Sequence, residues 1–154
     1  GPAEPEDTTM LPATIATSTA HEATAKVGRL LNGSLASAEA RLASIGRLND
    51  RCRHGLDRTA RIMVTRSCLD TFASGDGAME IVVQARLYAA IRHHVFADAD
   101  SDAAERDRGN FEFEGTTVYF KIDYYDAAFQ YGSEDPADAS ITRRVLTIMV
   151  REDL

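Results

Sequence analysis

The chain has 154 residues, 44% of them hydrophobic, and a formal net charge of −7. That length suits one domain with a short accessory piece, and that apolar fraction supports a packed core rather than a disordered polymer. No apolar run nears the roughly 20 residues that cross a bilayer, and no charged start leads into an apolar stretch, so neither an integral membrane protein nor a signal-bearing secreted one is expected.

Residues 1–18 hold Pro2, Pro5 and Pro12 with little apolar pattern. They read as a disordered leader, with Gly1-Pro2 in the form of a protease-cleavage scar. Thr19-Ala-His-Glu22 has the form of a capping box, and Ala20, Ala23, Val27, Leu30 and Leu31 follow at helical spacing. Asn32-Gly33 is a natural helix stop. Ser34 can cap a second helix to about Gly55, with Leu35, Ala38, Leu42, Ile45, Asn49 and Cys52 forming a seam. Residues 19–55 thus read as a helical hairpin, either packed on the rest of the chain or pairing with another copy, and in the second case the seam around residues 35–52 offers the homodimer contact.

Residues 56–154 read as an α+β domain. Ala60–Thr65 is β-branched and apolar, which predicts a strand. Ser74-Gly-Asp-Gly77 is a loop, and a helix follows over about 78–95 with Met79, Val83, Leu87, Ala90 and Ile91 on its buried face. After an acidic loop the period changes to two. Phe111 and Phe113 alternate with acids, Glu114-Gly115 makes a turn, and Val118, Phe120, Ile122 and Tyr124 face inward. A loop over 126–140 precedes a last strand, about 143–151, with Leu146, Ile148 and Val150 on one face. The expected fold is a small antiparallel sheet packed against helices.

Charge is uneven along the chain. Residues 26–66 carry a net of +6 and residues 97–140 a net of −9. A basic segment can meet phosphates, and an acidic one can meet a basic protein or imitate a row of phosphates. Cys52 and Cys68 sit in no C-x-x-C motif and read as reduced thiols of a cytoplasmic protein.

Three segments carry a family resemblance: Lys121-Ile-Asp-Tyr-Tyr-Asp126, Tyr131-Gly-Ser-Glu-Asp-Pro-Ala-Asp138 and Thr142-Arg-Arg-Val-Leu-Thr-Ile-Met149. Together with Leu48-Asn49-Asp50 and the strand Arg61–Thr65, they resemble a small uncharacterised bacterial domain family, frequent on plasmids and other mobile elements of proteobacteria. The resemblance covers roughly residues 44–152. It implies membership of a domain family of unknown function and a mobile-DNA context. Relatives look as if they carry Glu-His-Asp-Phe-Gly where this chain has Glu105-Arg106-Asp107-Arg108-Gly109. The missing histidine argues against an enzyme.

The leading expectation is a non-enzymatic modulator or inhibitor encoded by mobile DNA. It would act on a host or mobile-element protein with a basic surface, as an anti-CRISPR-like or anti-restriction-like factor against a nucleic-acid-targeting defence system. Tyr125, Asp126, Tyr131, Glu134, Asp135 and Asp138 are its candidate contacts, because tyrosine dominates binding energy and the acids suit a basic partner. No cofactor is expected, since neither a glycine-rich phosphate loop nor a dinucleotide fingerprint is present. A first alternative is a metal-dependent nuclease or phosphohydrolase in which Glu105, Asp107, Asp123 and Asp126 gather round Mg²⁺ or Mn²⁺. Its structural counterpart has Asp123 paired with Lys121 or with a neighbouring strand, and Asp126 capping a turn. A second alternative is nucleic-acid binding through Arg41, Arg47, Arg51, Arg53 and Arg58.

Overall fold

The computed structural model describes residues 10–97 and 104–154, with side chains from residue 19 onward. It divides into two compact units, Gly1–Ala40 and Arg41–Leu154. One helix, α1 (Met10–Arg53), supplies the described part of the first unit and the opening of the second. Two expectations change here. Residues 10–18 are helical rather than a leader, while residues 1–9 lie outside the described residues. Asn32-Gly33 does not stop the helix, so the expected hairpin is a single helix. The reason is energetic. A glycine inside a helix costs about 1 kcal/mol, whereas a break creates two new ends, each with four unpaired backbone groups. The flanks Leu30-Leu31 and Leu35–Leu42 are good helix formers. The unit boundary falls near residue 40 rather than 55, because Ile45, Asn49 and Cys52 are buried within the second unit.

In the second unit β1 (Arg61–Val64) leads into α2 (Arg66–Ala73) and α3 (Gly77–Arg92). Then β2 (Arg108–Phe113), β3 (Thr116–Tyr125) and β4 (Arg143–Val150) follow, and a 3₁₀ turn covers Arg151–Asp153. Thr65 caps α2, its hydroxyl accepting from the Cys68 amide, and Asp76 caps α3 by accepting from Ala78 and Met79. The sequence reading has no counterpart of α2. It is two turns long and alternates polar with apolar residues too briefly to show a period. Met79 is 42% exposed, since the buried stripe of α3 starts at Val83 and continues through Leu87 and Ile91.

The strand order is β1-β4-β3-β2. The sheet is mixed, not purely antiparallel as expected: β2–β3 and β3–β4 are antiparallel, and β1 runs parallel to β4 with Ile62 beside Leu146. Glu114 and Gly115 both have positive φ, at 51° and 81°, which matches the tight hairpin turn between β2 and β3. One face of the sheet meets the helices. There Val118, Phe120, Ile122, Leu146, Ile148 and Val150 pack with Cys52, Cys68, Leu69, Val83, Leu87 and Ile91. Each large apolar side chain so buried contributes about 2 kcal/mol. The α+β class is therefore as expected.

Candidate functional site

Alternation along β4 places Arg144 in phase with Leu146, Ile148 and Val150, and the guanidinium goes inward, 1% exposed. Its Nε donates to Asn49 Oδ1 at 2.7 Å, and its Nη2 donates to the Pro136 carbonyl at 2.6 Å. The guanidinium carbon lies 5.0 Å from the centre of the Tyr124 ring. Asn49, fully buried, donates through Nδ2 to the Glu105 carbonyl and to the Tyr124 hydroxyl, both at 2.8 Å. Among the described residues no carboxylate comes within ion-pair distance of Arg144. Neutral oxygens and a ring face offset its desolvation instead. Burial pulls the Arg144 pKa down, yet a guanidinium stays cationic in a protein. Burial, only partly countered by the Asn49 hydrogen bond, pushes the Tyr124 phenol up to about 12.

Beside this network Asp50 takes a two-pronged bond from Arg106, with Nε at 2.9 Å and Nη2 at 2.8 Å, and a third from Arg53 Nη2 at 2.9 Å. Burial raises the Asp50 pKa, but the two arginines outweigh it and hold the carboxyl below its usual value. A Cβ at Gly46 would run into the Ala104 carbonyl and the Arg106 side chain, so only glycine lets the segment lie this close to α1. Arg106, which stands where the resemblance implies histidine, is thus a structural clamp on Asp50.

The candidate partner contacts lie on or beside the 126–142 connection. It is long for a segment without helix or strand, and it is pinned along its length. Asp126 Oδ1 accepts from the Ala128 and Gln130 amides, and the Asp126 amide donates to the Tyr131 carbonyl. Asp135 Oδ1 accepts from the Ala137 amide and from Arg41 Nη2, the latter at 2.9 Å. Asp138 Oδ1 accepts from the Ser140 amide and hydroxyl, which holds its pKa down. Thr142 donates to the Asp135 carbonyl and shares a bond with Ser133 Oγ at 2.7 Å. Asp126, Asp135 and Asp138 are therefore fasteners of the loop. Tyr131 stands out from it, 74% exposed, and Glu134 is exposed as well. Tyr125 is half-buried on the far side of β3 and pairs with Gly132 across an isolated bridge.

The face of the sheet turned away from the helices carries a concavity of about 470 Å³. Arg61, Met63, Lys121, Asp123, Tyr125 and Phe129 are among its lining residues. The Arg61 guanidinium stacks on the Phe129 ring at 3.7 Å. Lys121 and Asp123, two positions apart on the outer face of β3, pair at 3.3 Å. Arg61 and Lys121 face Asp123 and Asp153, so the hollow has no surplus of positive charge for a polyanion.

The other candidate sets are dispersed. No group of three or more His, Cys, Asp or Glu among the described residues could hold a metal ion. Asp107 pairs with Arg108, Asp123 with Lys121, and Asp126 caps its own turn, while Glu105 has its Oε1 3.5 Å from the Tyr124 hydroxyl. Of the five arginines, Arg53 is 6% exposed and donates to the Ile91 and Arg92 carbonyls at the end of α3. Arg41 is paired with Asp135, Arg47 donates to Ser44, Arg51 donates to the Leu56 carbonyl, and Arg58 is exposed. Cys52 and Cys68 are free and buried, and burial pushes the thiols up to about 12 and about 11. Neither forms a thiolate readily.

Sequence reasoning missed the Arg144 network and the open face. A signal for the first was present: an arginine stands where alternation demands an apolar residue. No helix of the described residues is long and apolar enough to cross a membrane. Comparison with curated proteins and with solved structures returns no match. Residues 72–153, more than half of the chain, match the family model described as "Protein of unknown function (DUF3768)", so the chain belongs to that uncharacterised domain family.

Proposed function

We propose that this chain is a non-enzymatic binding protein that grips a partner protein of basic surface through the 126–142 loop and the hollow beside it. The observation that carries the reading is the loop itself. Asp126, Asp135 and Asp138 are spent on holding the backbone still, and that rigidity presents an exposed Tyr131. A loop already ordered loses little entropy on docking, and an exposed tyrosine is the residue type that anchors interfaces. Glu134, three residues further along the chain, supplies an exposed negative charge. Tyr125 and Phe129 extend the surface into the hollow, where a partner side chain would insert. The mobile-DNA setting that the resemblance implies makes a host nucleic-acid-targeting defence protein the natural partner. Such proteins carry basic channels for phosphates, and the chain would act as their modulator or inhibitor.

The test is affinity capture from host lysate with the full chain and with Tyr131→Ala/Glu134→Lys. A basic protein recovered by the first, and held at least about tenfold more weakly by the second, supports the reading. Equal recovery by both, or no partner, sinks it. Heat on titration with Mn²⁺ together with phosphodiester cleavage would move the assignment to the metal-dependent alternative.

A further inference from the structure

The described part of the first unit is a helix whose residues 19–40 are all exposed. Val27, Leu30, Leu31 and Leu35 are 54%, 65%, 61% and 63% exposed. Val27, Leu31, Leu35, Ala38 and Leu42 recur at spacings of four, four, three and four, so they fall on one stripe. At about 100° per residue, Glu22, Lys26 and Arg29 lie on the opposite side. Downstream the same 4-3 spacing continues into Ile45, Asn49 and Cys52, but those are 1%, 0% and 1% exposed and are taken up by the chain's own domain. The 45–52 part of the expected homodimer contact is therefore closed to a partner, while its 35–42 part and the stripe before it are open.

We infer that the stripe from Val27 to Leu42 is the seam of a homodimer, with α1 of one copy packed along α1 of another. An isolated helix in water is marginal without a packed face, and a soluble chain seldom leaves so many large apolar residues uncovered. The second copy fits because it brings the same stripe, and a two-fold axis makes the contact self-complementary. Glu22, Lys26 and Arg29 point away from the seam, and the two charges that flank it, Glu39 and Arg41, are of opposite sign and lie on opposite sides of it. At roughly 100 Å² of apolar surface per residue, five such residues from each copy bring on the order of 1,000 Å², the lower bound of a specific interface.

Sedimentation of the full chain at tens of micromolar tests this. The expected mass is twice the 16.8 kDa of one chain. Leu31→Lys/Leu35→Lys should return it to a single chain, and Ile81→Lys on the exposed side of α3 should leave the dimer intact. A single-chain mass for the parent protein overturns the inference, as does a double-lysine variant that keeps the doubled mass, or loss of the dimer in Ile81→Lys alone. If circular dichroism shows that the lysines have melted α1, Leu31→Ala/Leu35→Ala is read instead. Alanine preserves the helix, so a dissociation constant weakened at least tenfold is expected, and an unchanged one overturns the inference.

Discussion

Asn49 and Arg144 form the most consequential pair of side chains in the second unit. Both are buried, and the Asn49 amide by itself bonds Arg144 Nε, the Tyr124 hydroxyl and the Glu105 carbonyl, while Arg144 reaches on to the Pro136 carbonyl. Removing the amide strands a guanidinium in the core. Breaking such a contact costs several kilocalories, more than the contact is worth when formed, because a buried donor is left without water. Asn49→Ala should therefore lower the unfolding free energy by about 3 kcal/mol in a urea titration. A loss below about 0.5 kcal/mol would show that the network is not holding the fold. Asn49 lies outside the 72–153 family match and yet completes the bonding of Arg144 within it. The end of α1 is thus part of the domain's core.

At the scale of elements, α1 shows how weak a local stop signal is. Asn32-Gly33 has the composition of a helix end, but a stop also needs a chain that turns away, and Ser34–Leu42 prefers to stay helical. A Cβ at Gly33 would meet nothing within 4 Å. Gly33→Ala should therefore strengthen the helix by about 1 kcal/mol and increase the 222 nm ellipticity. A fall in ellipticity would mean that the chain does turn at this point. In β2 and β3 the local signal was sufficient. Phe111, Phe113, Val118, Phe120 and Ile122 alternate cleanly, and Glu114-Gly115 is the turn the register requires. The partner of β1 was not legible, because parallel pairing with β4 joins residues more than eighty positions apart and leaves no local trace.

Over the whole molecule, ion pairs bridge the basic and acidic stretches of the sequence. Arg41 meets Asp135, and Arg106 meets Asp50. The exposed Arg41–Asp135 pair adds little stability, whereas the half-buried, two-pronged Arg106–Asp50 pair fastens its segment to α1. The response to pH is a property of the whole fold. His94 sits edge-on to Phe96 and Phe120, and burial together with Arg53 pulls its pKa down. The unfolded chain then takes up that proton first. The stability His94 contributes is full above about pH 6.5 and declines as the pH falls from there toward its folded value. His94→Leu should flatten this part of the stability curve in denaturant titrations between about pH 7 and pH 5. An unchanged slope would place the acid sensitivity elsewhere. Asp50, whose folded pKa is also lowered, loses its contribution in a separate and more acidic window, as the pH falls from its ordinary 3.8 through the folded value.

The sequence by itself determined the α+β class, the hairpin and its turn, the core faces of β3 and β4, the core face of α3 from Val83 onward, and membership of a domain family of unknown function. Each of these is written in short-range periodicity or in contiguous motif words. Only the tertiary structure decided that β1 joins the sheet in parallel and that Arg144 turns inward to meet Asn49. It alone decided that the acids at 107, 123 and 126 are used up singly, and that the apolar seam of α1 is buried from Ile45 onward and bare before it. Those outcomes depend on which distant residues arrive at the same place, and local spacing carries no record of that.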